Sequence, residues 1–287
     1  MKVRLISATR DAERLVAMAA RSTHTLKFPD HISDVEQIAI ISNALEMGIY
    51  TKSQKTIMDY LPKNEREYGK RIHDNEATSM VEKINALGHT SVFEHASFTF
   101  SIEGVSRACT HQLVRHRIAS YSQQSQRYVE IKDWKFVVPQ SIEGNAEAKQ
   151  CVDEFNIHVR NIYIKLRELG IEPQDARYML PNSMTTNIVV TMNARALLNF
   201  FELRTCLKAQ WEIRQMAILM LKEVRKKAPN IFQNAGPQCR KLGYCPERDD
   251  NCTMNPRHMR GGKKIKIEKD TSQQIQEVAN HNVPSNE

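Results

Sequence analysis

Polar and apolar positions change period several times along this chain, and each change marks an element. Lys2 to Ser7 alternates every second residue and predicts a short strand, while Asp11 to Arg21 is Ala-rich and helical. Val35 to Met47 carries apolar residues at helical spacing and is closed by Gly48. From Ser91 to Ser101 the two-residue period returns. Phe93, His95, Ser97 and Thr99 fall on one side, with Val92, Glu94, Ala96, Phe98 and Phe100 on the other, so a strand is predicted. Ser106 is placed as the N-cap of a following helix. Trp134, Phe136 and Val138 suggest another strand, ended by Pro139. Val152, Phe155, Val159, Ile162, Leu166 and Leu169 form an amphipathic helical stripe, with Gly170 just beyond it. Asn187 to Thr191 is β-branched and strand-like. A helical run then covers Ala194 to Lys227, with Thr205 a candidate point of interruption, and stops before Pro229.

Strands and helices interleave without a βαβ rhythm and no internal repeat is present. The pattern therefore predicts an α+β fold, a single mixed α/β domain over residues 1–236, rather than a Rossmann sheet. Residues 237–287 read as a Cys-containing, basic, flexible tail; Arg260 to Glu287 has no aromatic residue and is rich in Lys, Gln, Asn and Ser.

At 287 residues, with 41% hydrophobic and 26% charged, the chain can bury one substantial core or two small ones. No apolar run approaches the eighteen or so residues of a membrane helix. The opening MKVRLISATRDAERL lacks the apolar stretch and cleavage site of a signal peptide, so a cytoplasmic protein is expected. Six cysteines at irregular spacing then read as reduced thiols. Cys239, Cys245, Cys252 and His258 are separated by five, six and five residues, which does not fit the usual zinc-ligand pairs, and no metal is expected.

The net charge of +8 is compatible with nucleic acid, an anionic membrane or small phosphorylated ligands as partner. Much of it lies in an Arg-rich core and between Arg257 and Lys269, with no nucleic-acid-binding motif beside it, which favours small anionic ligands. The core run is HQLVRHRIASYSQQSQRY. Arg115, His116, Arg117 and Arg127 fall within thirteen residues, among Ser and Gln side chains able to donate hydrogen bonds. Arginine pairs with phosphate through two parallel bonds. Because Val105, Cys109 and Leu113 precede it at helical spacing, the segment reads as a helix delivering an anion-binding turn. Gln112 and Arg115, three apart, would share a helix face. No GxGxxG and no GxxxxGK[ST] occurs, so a bound dinucleotide would be held by side chains.

The run Arg115-His116-Arg117, seven residues, then Ser125 resembles the signature of the flavin-dependent thymidylate synthases. Gly88 to Phe100, Asp175 to Pro181, Met192 to Arg204 and Ala209 to Arg214 resemble four further blocks of that family, in its order, and the first twenty residues resemble its opening. Residues 27–85 are longer than in compact members, the segment after Pro237 is outside the common core, and Gln123 and Gln174 stand where Glu is usual. The resemblance implies reductive methylation of dUMP to dTMP. The carbon would come from 5,10-methylenetetrahydrofolate and the reducing power from FAD reduced by NADPH. A homotetramer with active sites at subunit interfaces is implied as well.

By the same resemblance dUMP would be held by Gln112, Arg115, Gln123, Gln124, Ser125, Gln126, Arg127, Arg177 and Arg204, with Arg204 the catalytic cation beside the uracil. His89, Ser91, Glu94, Arg115, His116, Arg117, Ile118, Gln123, Asn193, Arg195 and Asn199 would contact FAD. Ser125 reads as a phosphate ligand or a turn-capping serine rather than a nucleophile, and Cys109 as a core residue. Arg204 lies nine residues beyond Arg195, on the opposite side of an unbroken helix. Either the helix breaks near Thr205 or the two residues serve different copies of the site. Two rivals stand beside this reading: a flavin-dependent methyltransferase for another uracil-containing substrate, and a nucleotide- or RNA-binding protein that has lost catalysis.

Overall fold

A computed structural model describes residues 1–22, 77–131 and 133–259. The expected helix at Val35 to Met47, most of the 27–85 extension and the chain from Arg260 lie outside the described residues. Two compact units are present, Met1–Gly236 and Pro237–Glu287.

The first unit is mixed α/β around one antiparallel sheet. Its strands β1 (Lys2–Ala8), β2 (Ser97–Ser106), β3 (Ser120–Gln123) and β4 (Thr185–Asn193) lie in the order β1-β2-β4-β3. The alternation in the two central strands explains their burial. Phe98, Phe100 and Ile102 of β2 pair across the ladder with Met192, Val190 and Ile188 of β4, and all six are buried on one face. On the opposite face the same register brings the Thr99 and Thr191 hydroxyls to 3.0 Å. The β2–β4 register shifts between Ile102 and Val105, where Gly104 has φ +68° and donates its N–H to Asn187 Oδ1 at 3.1 Å. That positive φ at an interrupted ladder suits a residue without Cβ.

The principal helices are α1 (Ala12–Ser22), α2 (Arg107–Leu113), α3 (Ala146–Glu168), α4 (Ala194–Arg204) and α5 (Trp211–Lys227). Short polar residues begin them: Ser106, Asn145 and Asn193 accept from the N–H groups of Cys109, Ala148 and Ala196. On α5, Ile213, Met216, Ala217, Met220, Leu221 and Val224 form one buried stripe, and this helix packs on β1 and α4. The rings of Phe98, Phe232, Phe201 and Phe200 follow one another edge to face, with centroids 5.4, 6.0 and 5.8 Å apart.

Several expectations need correction. Thr90–His95 is a 3-10 helix, and the strand begins only at Ser97. Both conformations bury Phe93, so periodicity could not separate them. The Trp134 to Val138 segment makes a single bridge, Phe136 to Met184, rather than a strand. Ser120–Gln123 is a strand, so Gln123 lies in the sheet and only Gln124 onward can form the turn. Helix α3 exists, yet Phe155 and Leu169 of its expected apolar stripe are 52% and 66% exposed, while Val159 and Tyr163 are buried. The interruption near Thr205 is real, and it falls after Arg204, so α4 is continuous between Arg195 and Arg204.

The described part of the second unit is not structureless. Helix Gln238–Leu242 ends at Gly243 with φ 71°, and Arg257 Nη1 pairs with Asp250 at 3.0 Å. Among the described residues no helix is long and apolar enough to cross a membrane, and no group of three or more His, Cys, Asp or Glu could hold a metal ion.

Candidate active site

Ser106 fixes the entry to the arginine-rich segment. Its N–H and hydroxyl both donate to the Glu212 carboxylate of α5, at 2.7 and 2.5 Å, while its Oγ accepts from Cys109 N–H. Glu212 is 3% exposed, so these bonds to a charged group lock α2 onto α5. Helix α2 ends at Leu113, and Arg115-His116-Arg117 forms the turn beyond it. From β3 the Tyr121 hydroxyl reaches the carbonyls of Leu113 at 2.9 Å and His116 at 2.8 Å, a shared donor that closes the turn. Burial pushes the Tyr121 phenol up to about 12, which keeps its proton in place.

The triplet divides by direction. Arg115 and Arg117 are exposed, as is Ile118 at 73%, whereas His116 turns inward to an edge-to-face contact with the Phe200 ring, centroids 4.9 Å apart at 83°. His116 Nε2 accepts from Arg204 Nε at 3.0 Å. Burial first, and the Arg204 charge second, lower its pKa from 6.5 to about 4. The imidazole is therefore neutral, with its proton on Nδ1. His116 adds no positive charge to the arginine run; it anchors one of the cations.

Helix α4 explains which cation. Its buried positions are Ala194, Leu197, Phe200 and Phe201, and Arg204 falls three to four residues further along that stripe. Arg195 lies on the other side, where it pairs with Glu94 at 2.6 Å. Asn199, one turn from Arg195, is exposed as well, as are His89, Ser91 and Glu94 at the 3-10 segment. Asn193 spends its side-chain oxygen on the cap of α4. The structure thus joins Glu94 with Arg195, and His116 with Arg204, but it does not bring Arg195 to Arg204. At 1.5 Å per residue they are about 13 Å apart along the helix.

A second cluster gathers around the turn after β3. Arg127 Nη2 donates to Gln174 Oε1 at 3.2 Å, and Arg177 Nε donates to the Gln174 carbonyl at 3.1 Å. Arg107 donates to the Gln124 carbonyl at 3.4 Å, and its Nε is buried without a protein partner among the described residues. Burial, and then the charge of Arg177, holds the Arg107 guanidinium below its ordinary pKa. Gln123 Nε2 donates to the Thr110 hydroxyl at 3.0 Å. The turn is partly self-satisfied: Gln124 N–H donates to Asn187 O and Arg127 N–H to Ser125 Oγ. Of the backbone donors expected to wrap an anion, those of Ser125 and Gln126 make no hydrogen bond among the described residues.

Arg107 escaped the sequence reading. One signal was present: an arginine at the first position of a helix opposes the macrodipole, so it calls for another reason to be there. Tyr121 and Glu212 were also missed, because their partners lie on other elements.

The family model described as thymidylate synthase complementing protein matches residues 4–230, a span that contains both clusters. The chain belongs to this family. Proteins named flavin-dependent thymidylate synthase are similar over most of it. That of Geobacter sulfurreducens is 50% identical over 188 residues, covering 65% of this chain and 81% of its own. That of Pyrococcus furiosus is 42% identical over 215 residues (72% and 88%), and that of Sulfolobus acidocaldarius 40% over 241 residues (83% and 78%). As a flavin-dependent thymidylate synthase the chain is an enzyme, and the resemblance read from its five blocks is established.

Proposed function

We propose that this enzyme converts dUMP to dTMP, with 5,10-methylenetetrahydrofolate as carbon donor and NADPH as ultimate reductant through FAD, and without a protein thiolate. The observation that carries the last point is the state of Cys109. It is fully buried, and burial first, then the Glu212 charge, pushes its thiol far above the ordinary range. A protonated, enclosed thiol is no nucleophile at neutral pH.

The donor set suits a flavin dinucleotide. Arg115, Arg117 and the backbone at Ile118 face outward, and Glu94, Arg195, Asn199, His89 and Ser91 offer a second exposed polar set. When bound, FAD would supply the hydride equivalent that brings a methylene carbon to a methyl group. The remaining work belongs to this chain. Arg127, Arg177 and Ser125, with Gln124 and Gln126 in the same turn, would bind the dUMP phosphate. Gln112 and Arg115 would orient the nucleotide, and Gln123 is held by Thr110 at its edge. Arg204, fixed by neutral His116, would face charge developing on the uracil ring. Its partner needs a lone pair, which only the unprotonated imidazole supplies.

Exposed Phe155, Ile157, Ile164 and Leu169 on and after α3 support assembly into a homotetramer. Composite sites between subunits would resolve the separation of Arg195 from Arg204. Release of tritium from C5-labelled dUMP, dependent on NADPH and the folate, tests the reaction. Balance requires tetrahydrofolate as the folate product; dihydrofolate would mean that the folate itself supplied the hydride and would refute this reading.

A further inference from the structure

We infer that Gln174 is a positioning residue that gathers the arginine cluster while leaving its charge whole. This rests on the proposal that Arg127 and Arg177 bind the phosphate of dUMP. Gln174 makes two bonds of different kinds. Its main-chain carbonyl takes Arg177 Nε, three residues on, so any side chain at this position keeps that bond. Its side-chain oxygen takes Arg127 Nη2 from a residue 47 positions away in sequence. The amide side chain therefore acts on Arg127 alone, and it is what joins the turn after β3 to the segment that carries Arg177.

The chemistry of that oxygen matters more than the bond itself. An amide accepts from a guanidinium and adds no charge, whereas a carboxylate in the same place would form an ion pair. Among the described residues none of Arg107, Arg127 and Arg177 is paired with a carboxylate. Burial first, and the Arg177 charge second, hold Arg107 below its ordinary pKa. Cations that bond to neutral acceptors, Arg107 to the Gln124 carbonyl and Arg127 and Arg177 to Gln174, keep their full charge for a ligand of two negative charges. Gln174 is exposed, so it contributes little to stability and can be altered without touching the core.

The test uses full-length, flavin-loaded enzyme carrying Gln174→Glu, Gln174→Ala or Arg127→Ala, titrated calorimetrically with dUMP and with deoxyuridine at low and high salt. One added negative charge within several ångströms of the phosphate should weaken dUMP binding roughly three- to tenfold at low salt. Deoxyuridine binding should be unchanged, and the loss should shrink as salt rises. KM for dUMP should rise more than kcat falls. Gln174→Ala, which removes the link without adding charge, should cost less than Gln174→Glu. Equal weakening of dUMP and deoxyuridine, wild-type dUMP affinity in Gln174→Glu, or a greater loss in Gln174→Ala would each overturn the inference. Wild-type dUMP affinity in Arg127→Ala would instead remove the phosphate assignment beneath it.

Discussion

Arg204 and His116, 88 residues apart in sequence, meet at 3.0 Å with the guanidinium donating to the imidazole. The pair has a built-in pH sign. His116 titrates near 6.5 in an unfolded chain and near 4 in the fold, because burial and then Arg204 disfavour its charged form. Above about pH 6.5 both states are neutral and the contribution to stability is complete. Between 6.5 and 4 the unfolded chain binds the proton first, so stability falls with pH across that window and levels off below it. Denaturant unfolding of the wild type from pH 7.5 to 4.5 should show this slope. His116→Gln should flatten it, and an unchanged slope would assign the effect to other groups.

The continuity of α4 makes a prediction about division of labour. Arg204→Ala should retain flavin but bind dUMP more weakly and turn over slowly, by roughly tenfold to a thousandfold. Arg195→Ala should lose flavin first. Since one unbroken helix holds the two residues on different sides, mixing the two inactive variants under subunit exchange should restore activity if sites are shared between chains. Equal flavin loss in both variants would count against the division.

Cysteine chemistry should be dispensable. Cys109 is enclosed and protonated, so Cys109→Ala should leave measurable dTMP formation; Cys206, half-buried just beyond α4, has no role in the proposed chemistry, and Cys206→Ala should do the same. The Cys109 thiol should also resist a soluble disulfide reagent until the protein unfolds. A folded, flavin-loaded cysteine variant with no turnover would restore a covalent mechanism.

Glu212 should matter for stability although it is not among the residues proposed to touch a ligand. It receives two short bonds from Ser106 in a buried setting. Glu212→Ala should destabilise the protein by roughly 2–4 kcal/mol, through the lost bonds and the unpaired Ser106 N–H. Urea unfolding measures this, and a change under 1 kcal/mol would show that water replaces the carboxylate.

What could be read in advance follows the range of the interactions. The cap at Ser106, the alternation from Phe98 to Ile102 and the interruption at Thr205 are local, and each leaves a mark within a few residues. Thr205 ends α4 with its hydroxyl on the Phe201 carbonyl at 2.6 Å, a bond four residues long. By contrast, the polar strand Ser120–Gln123 is a strand because β4 supplies its partners, and nothing in its own pattern announces it. Family blocks pointed to His116 and Arg204 separately. That one holds the other could not be seen from spacing, since it depends on the inward rotation of His116 onto Phe200. Gln174 was noted only as a departure, yet it touches both Arg127 and Arg177.

The edge-to-face series from Phe98 through Phe232, Phe201 and Phe200 ends on the His116 ring. The turn that carries His116 is thus tied to the interior through one of its own side chains. Opening it means pulling a ring from the end of a stack whose other end is a central strand. The amide of His116, which donates to the Leu113 carbonyl at 3.1 Å, then belongs with the protected backbone rather than with that of surface turns. Any movement of this turn is thereby coupled to the packing of the interior.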